Sequence, residues 1–95
     1  TFNEPNLVKK TLPALIKAAG AENVSESTWV TGAEDFSFFG EKAPSFFFYL
    51  GALPVGKDPK DAAPHHTPNF YIDESGFTVG VKAFCNLVFD YAKVK

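Results

Sequence analysis

Apolar positions recur with a helical period at both ends of the chain and lose that period in the middle. Near the start, Val8, Leu12, Leu15 and Ala19 follow one another at steps of three and four, with Leu7 and Ile16 beside them. That stripe predicts an amphipathic helix. Asn3 suits the N-cap, Glu4 and Pro5 suit the first turn, and Gly20 stands where a C-terminal glycine belongs. Pro13 removes one helical hydrogen bond, which predicts a kink or two short helices joined near Thr11. At the other end Phe77, Val81, Phe84, Val88 and Tyr91 form a second stripe, widened by Leu87. Asp73, Glu74 and Ser75 supply a cap and an acidic first turn, and Lys93 and Lys95 complement the far end of the dipole. These signals predict a helix from about Glu74 to Lys93. Gly76 and Gly80, four apart, suggest close packing against it.

Between the helices the pattern changes. Val24 to Val30 contains Val24, Thr28, Trp29 and Val30, imperfectly alternating with Ser25, Glu26 and Ser27, and predicts a strand that Thr31-Gly32 ends. Ala33 to Ala43, with Glu34 and Asp35 at its start and Pro44 after it, predicts a short helix. Phe46-Phe47-Phe48-Tyr49-Leu50 is an uninterrupted apolar run, as expected of a central strand covered on both faces. Leu53 to Asn69, with five prolines and glycines, predicts a long loop, and loops of that length are functional or disordered. The order helix, strand, short helix, strand, loop, helix predicts an α/β layered fold. Such a sheet needs more strands than these two, so the expected sheet is incomplete in this chain.

Composition sharpens that expectation. Ninety-five residues make one small domain, and 45% of them are hydrophobic, including 11 phenylalanines. Each buried ring contributes about 1.5–3 kcal/mol, but a body this small cannot readily hide them all. A leftover apolar face calls for a partner, either another domain or the rest of the same chain. The net charge of -2, without a basic cluster, argues against a nucleic-acid partner. No apolar run approaches a membrane-spanning length. The single cysteine, Cys85, excludes an internal disulfide framework, and its place near the apolar stripe predicts a small core residue. Any targeting segment would precede Thr1, which leaves the compartment open between cytoplasm and periplasm.

The candidate chemistry is sparse. His65 and His66, the two histidines, lie between Pro64 and Pro68 at the end of the long loop. Neutral imidazole is the commonest metal ligand, and flanking prolines restrict the direction in which it is presented. A loop histidine pair is more often solvated or hydrogen-bonded than metallated, and adjacent side chains rarely reach one ion together. Glu34 and Asp35 after Gly32 can form a polar cradle at a helix start or serve as ordinary first-turn acids. Asp73 and Glu74 are accounted for by helix capping. A catalytic zinc site takes three protein ligands and an open position. With two adjacent histidines and scattered acids this chain cannot easily build such a site, so the other ligands of any metal centre must come from elsewhere.

Taken in order, Gly32-Ala33-Glu34-Asp35-Phe36-Ser37-Phe38-Phe39, Pro44, Phe46 to Gly51, His66-Thr67-Pro68-Asn69-Phe70 and Asp73-Glu74 carry a family likeness. So do Asn3-Glu4-Pro5, Leu12-Pro13 and Gly20. The sequence resembles the C-terminal part of the amidohydrolases that include hippurate hydrolase, the auxin-conjugate hydrolases and N-acetyldiaminopimelate deacetylase, within the aminoacylase and carboxypeptidase superfamily. The resemblance implies residues 1–95 as the last segment of a catalytic domain with a mostly parallel, helix-flanked sheet, following an inserted lid or dimerisation domain. It implies two divalent ions, manganese or zinc, that activate a water against the amide of an N-acyl amino acid or small peptide, and a homodimer for the complete protein. By the same resemblance His66 is a metal ligand, and Gly32, Glu34 and His65 line the substrate cleft. The family's Cys-x-His motif, its Glu-Glu pair with the general base and its remaining ligand histidine have no counterpart in this chain. The expectation is therefore a segment that binds no metal and hydrolyses nothing alone, with the rest of its catalytic domain as its partner. The alternative is a non-catalytic α/β interaction module that binds a partner through its Phe-rich surface.

Overall fold

A computed structural model describes residues 1–94, and among them regular structure is entirely helical. Helix α1 spans Pro5–Ala19, helix α2 is a single turn at Ser37–Gly40, and helix α3 spans Phe77–Val94. Short 3-10 turns lie at Ala21–Asn23, Pro59–Asp61 and Glu74–Gly76.

The two long helices form where periodicity placed them. The N-cap of α1 is Glu4 rather than Asn3: its carboxylate accepts from the N–H groups of Asn6 at 3.0 Å and Leu7 at 2.7 Å. Those two backbone bonds hold the Glu4 carboxyl below its ordinary pKa. Asn3 is released for a different task. Its amide donates to the Phe47 carbonyl at 2.9 Å and accepts from the Phe47 N–H at 2.7 Å. Glu4 N–H donates to the Ser45 carbonyl at 2.9 Å, so the chain before α1 is laced to residues 45–47. Pro13 does not divide α1, which is one continuous helix. A proline deletes one i to i−4 bond, and the carbonyl it leaves free belongs to exposed Lys9, where water can replace the donor. The Gly20 N–H closes the helix on the Ile16 carbonyl at 2.8 Å, with Gly20 at φ 87°.

The expected α/β fold does not form: among the described residues there is no strand and no sheet. Backbone groups in a strand are satisfied only by a neighbouring strand, and the two segments expected to be strands do not pair. Val24 to Val30 runs irregularly along the surface, with Trp29 98% exposed. Residues 46–49 keep the two-residue alternation of an extended chain, since the Phe46 and Phe48 rings meet tilted at 5.6 Å and Phe47 and Tyr49 meet edge-on at 5.3 Å. Their backbone partner is the Asn3 side chain, not a ladder. The short helix expected over Ala33 to Ala43 contracts to the one turn of α2, flanked by the turn bonds Ser37 N–H to Glu34 carbonyl at 3.0 Å and Lys42 N–H to Phe39 carbonyl at 3.0 Å.

The core is the seam between α1 and α3. Thr11, Ala14 and Leu15 of α1 and Ala83 of α3 are its buried residues. Asn86 Nδ2 donates across it to the Ala14 carbonyl at 3.3 Å, and Lys17 reaches Asp90 at 3.9 Å. Small side chains let the helices approach; Ala14 is only 2% exposed. The face of α3 used here therefore passes through Ala83, Asn86 and Asp90. The aromatic stripe expected to be core lies mostly elsewhere: Phe77, Val81, Phe84 and Val88 are exposed, Phe84 by 63%. Cys85, expected in the core, is exposed for the same reason. The close approach expected at Gly80 is real, but a non-helical segment makes it: a Cβ there would meet Leu50 Cδ2 at 2.8 Å, and one at Gly76 would meet the Gly51 carbonyl at 3.2 Å.

Candidate functional site

The histidine pair sits in a tight turn, Pro64 to Thr67, at the end of the long loop. Proline at 64 and proline at 68 leave little backbone freedom on either side. Within the turn His66 adopts φ 63°, the only described non-glycine residue with positive φ. That left-handed conformation costs an L-residue about 1–2 kcal/mol; outside glycine it is uncommon and is taken mostly by Asn, Asp and His. The Thr67 hydroxyl donates to the Pro64 carbonyl at 2.6 Å, and the Phe70 N–H donates to the Thr67 carbonyl at 3.1 Å.

The two rings are held differently. Their centroids are 6.4 Å apart at 78°, and the His65 ring meets Phe70 edge-on at 4.8 Å. His65 also lines an open apolar cleft of about 360 Å3 with Leu50, Leu53, Phe70, Ile72 and Phe77. His66 is exposed and is not among the lining residues. The floor of the cleft is tied by the Asp73 N–H donating to the Ala52 carbonyl at 2.8 Å. Asp73 also caps the turn that leads into α3, its carboxylate accepting from the Ser75 N–H at 2.9 Å. The Ser75 backbone bond, then the Ser75 hydroxyl, hold the Asp73 carboxyl below its ordinary pKa. Capping, as expected, accounts for this acid.

Glu34 and Gly32 lie on a separate segment. Glu34 Oε1 accepts from the Phe36 N–H at 3.2 Å, which makes it a local turn cap. Gly32 is exposed, with no atom within 4 Å of where a Cβ would stand. Among the described residues no hydrogen bond or ion pair joins either of them to the histidine turn. The nearby aromatic cluster of Phe36 with Phe47 at 5.5 Å opens onto a second cleft of about 320 Å3, bounded by α1 and α3 and not lined by either histidine.

A neutral imidazole fits zinc as a nitrogen donor, whereas manganese favours oxygen ligands, and exposed His66 can supply the nitrogen. A complete site is another matter. No group of three or more His, Cys, Asp or Glu able to hold an ion occurs among the described residues. No described helix is long and apolar enough to cross a membrane. Sequence reasoning found the histidines and missed what holds them: the left-handed His66, the Thr67 hydroxyl and the Phe70 edge. A threonine three residues after a proline carbonyl, with proline following, is the local signal that points to the hydroxyl-closed turn.

Comparison with known proteins adds what this geometry lacks. The model of peptidase family M20/M25/M40 matches residues 1–90. Thermostable carboxypeptidases 2 and 1 of Saccharolobus solfataricus are each 32% identical over 92 residues, covering 97% of this chain and 22% of each relative. IAA-amino acid hydrolase ILR1-like 2 of Arabidopsis thaliana is 30% identical over 95 residues, 100% of this chain and 21% of the relative. The chain thus spans about a fifth of the length of these curated relatives. No solved structure matches. The ordered motifs from Gly32-Ala33-Glu34-Asp35-Phe36 to His66-Thr67-Pro68 and the family match over nearly all of the sequence agree: this chain belongs to peptidase family M20/M25/M40.

Proposed function

We propose that residues 1–95 form the C-terminal segment of the catalytic part of a metal-dependent amidohydrolase or peptidase, and that His66 donates one ligand to its metal site. The observation that carries this reading is the conformation of His66. An exposed histidine at φ 63° between two prolines carries a free-energy cost, and strain of this kind clusters at functional positions. Membership of a family that is generally metal-dependent supports the same role. When bound, a divalent ion supplies a water activated for attack on a carbonyl.

This chain's own residues do the rest of what is proposed for it. His65, packed on Phe70 at the mouth of the apolar cleft, borders the substrate, and Gly32 and Glu34 line the approach from their own loop. The substrate class in this reading is an N-acyl amino acid or a small peptide, in keeping with the hydrolase and carboxypeptidase names of the relatives. General base and remaining ligands belong to residues other than these. The ion is manganese or zinc.

The test is calorimetric titration of the intact protein with manganese and with zinc, wild type against His66→Asn. Asparagine tolerates the left-handed backbone and removes the imidazole. Loss of a ligand is expected to weaken binding at least tenfold, the scale on which even supporting residues act. Unchanged affinity for both ions removes His66 from the site. A protein that binds neither ion and hydrolyses no acyl amino acid instead favours the interaction-module reading, with its apolar α3 face as the docking surface.

A further inference from the structure

The left-handed backbone of His66 is maintained by a side chain. Among the described residues no backbone hydrogen bond spans Pro64 to Thr67; the turn is closed by the Thr67 hydroxyl, which donates to the Pro64 carbonyl at 2.6 Å. Both ends of that bond are prepared by proline. The ring of Pro64 fixes its own φ, one of the two torsions that place its carbonyl. Pro68 confines the residue before it, Thr67, to extended backbone, which limits where its side chain can point. Thr67 is half-buried and its carbonyl is further tied by the Phe70 N–H at 3.1 Å. His66 lies inside this closure, in the conformation that an L-residue leaves when nothing holds it.

We infer that Thr67 is a positioning residue: its hydroxyl locks the Pro64–Thr67 turn, holds His66 at positive φ and so aims the imidazole. The inference rests on the reading of His66 as a metal ligand. Rotation about φ swings Cβ and the ring with it, so without the lock the imidazole leaves its direction while its chemistry is untouched. His65 is insulated from the change, because its ring is packed on Phe70 at 4.8 Å rather than held by the turn alone. The device thus separates two adjacent imidazoles, one fixed by packing and the other by a single hydroxyl.

The test uses the intact protein and three variants. Thr67→Val keeps the shape and removes the donor, Thr67→Ser keeps the donor, and His66→Asn removes the imidazole. Zinc and manganese affinities are measured by calorimetry, and His66 backbone chemical shifts and the three-bond HN–Hα coupling by NMR in the metal-free protein. Expected is a ten- to hundredfold loss of affinity in Thr67→Val, the range for residues that orient a metal ligand. The left-handed signature of His66 should vanish with it, and Thr67→Ser should restore both. Wild-type affinity in Thr67→Val with lost affinity in His66→Asn overturns the positioning role and leaves the ligand reading standing. Wild-type affinity in His66→Asn overturns both. Equal losses in the Val and Ser variants overturn the hydroxyl as cause. Should Thr67→Val fail to fold, Thr67→Ala takes its place, and a His66 left-handed signature that persists in it overturns the inference.

Discussion

At the scale of single residues, the molecule places polar groups where the backbone needs them and puts strain at one point. Glu4 and Asp73 are acids whose value lies in the N–H groups they accept from, which is why both carboxyls titrate below their ordinary pKa. A carboxylate with a lowered folded-state pKa adds stability above its unfolded pKa, and that stability is lost as pH falls through the folded value. Acidification should therefore fray α1 at its N-terminus, and Glu4→Gln should flatten that pH dependence in circular dichroism. An unaltered acid limb in the variant would contradict the cap. His66 makes the opposite contribution. Replacing it by Gly releases about 1–2 kcal/mol of left-handed strain against about 0.4–1 kcal/mol of added chain freedom. Urea unfolding of the metal-free protein should show His66→Gly more stable by up to about 1.6 kcal/mol, even as the imidazole is lost. The histidines themselves were legible in the sequence as the pair between prolines. The sign of φ at His66 was not, because it follows from a hydroxyl closing on a carbonyl three residues back.

Elements in this chain are determined locally and joined through few contacts. Periodicity sufficed for α1 and α3, and the break at Gly20 falls as expected, whereas α2 ends at Gly40, short of Pro44. Strands were misjudged because residue type describes what a strand prefers, whereas a ladder requires another backbone alongside. Phe46 to Leu50 satisfies the first condition and lacks the second. In its place Asn3 clasps Phe47 with two bonds. Asn3→Ala should cost about 1–2 kcal/mol, at about 1 kcal/mol for each lost bond, and chemical denaturation measures it. At the helix seam, Ala14 and Ala83 set the distance between α1 and α3. Ala83→Leu overfills that contact and should destabilise by about 1–3 kcal/mol, whereas Lys17→Ala, which removes an exposed ion pair, should shift stability by less than about 1 kcal/mol. A severe effect of Lys17→Ala with a mild one of Ala83→Leu would reverse this assignment of the seam.

For the whole molecule, the balance between apolar residues and apolar interior governs behaviour. Ala14, Leu15 and Ala83 are the buried hydrophobic core, while Phe84, Val88 and Phe89 stand open on α3. Contiguous apolar surface of this kind drives association. The 95-residue chain prepared alone should self-associate with rising concentration and bind a hydrophobic dye, and the pair Val88→Glu with Phe89→Lys should reduce both in sedimentation and fluorescence; a monomer unaffected by the pair would show that this face is inert. The sequence alone determined the two terminal helices, the proline-bounded histidine loop and, through its ordered motifs, the family. These depend on neighbours within a few positions, or on residue identities that need no coordinates. Only the tertiary structure decided which face of α3 is covered, that the apolar run at 46–50 forms no ladder, and that His65 packs while His66 is held left-handed. Each of those outcomes depends on a partner distant in sequence or on the closure of a turn, and neither is written in the period of hydrophobic and polar residues.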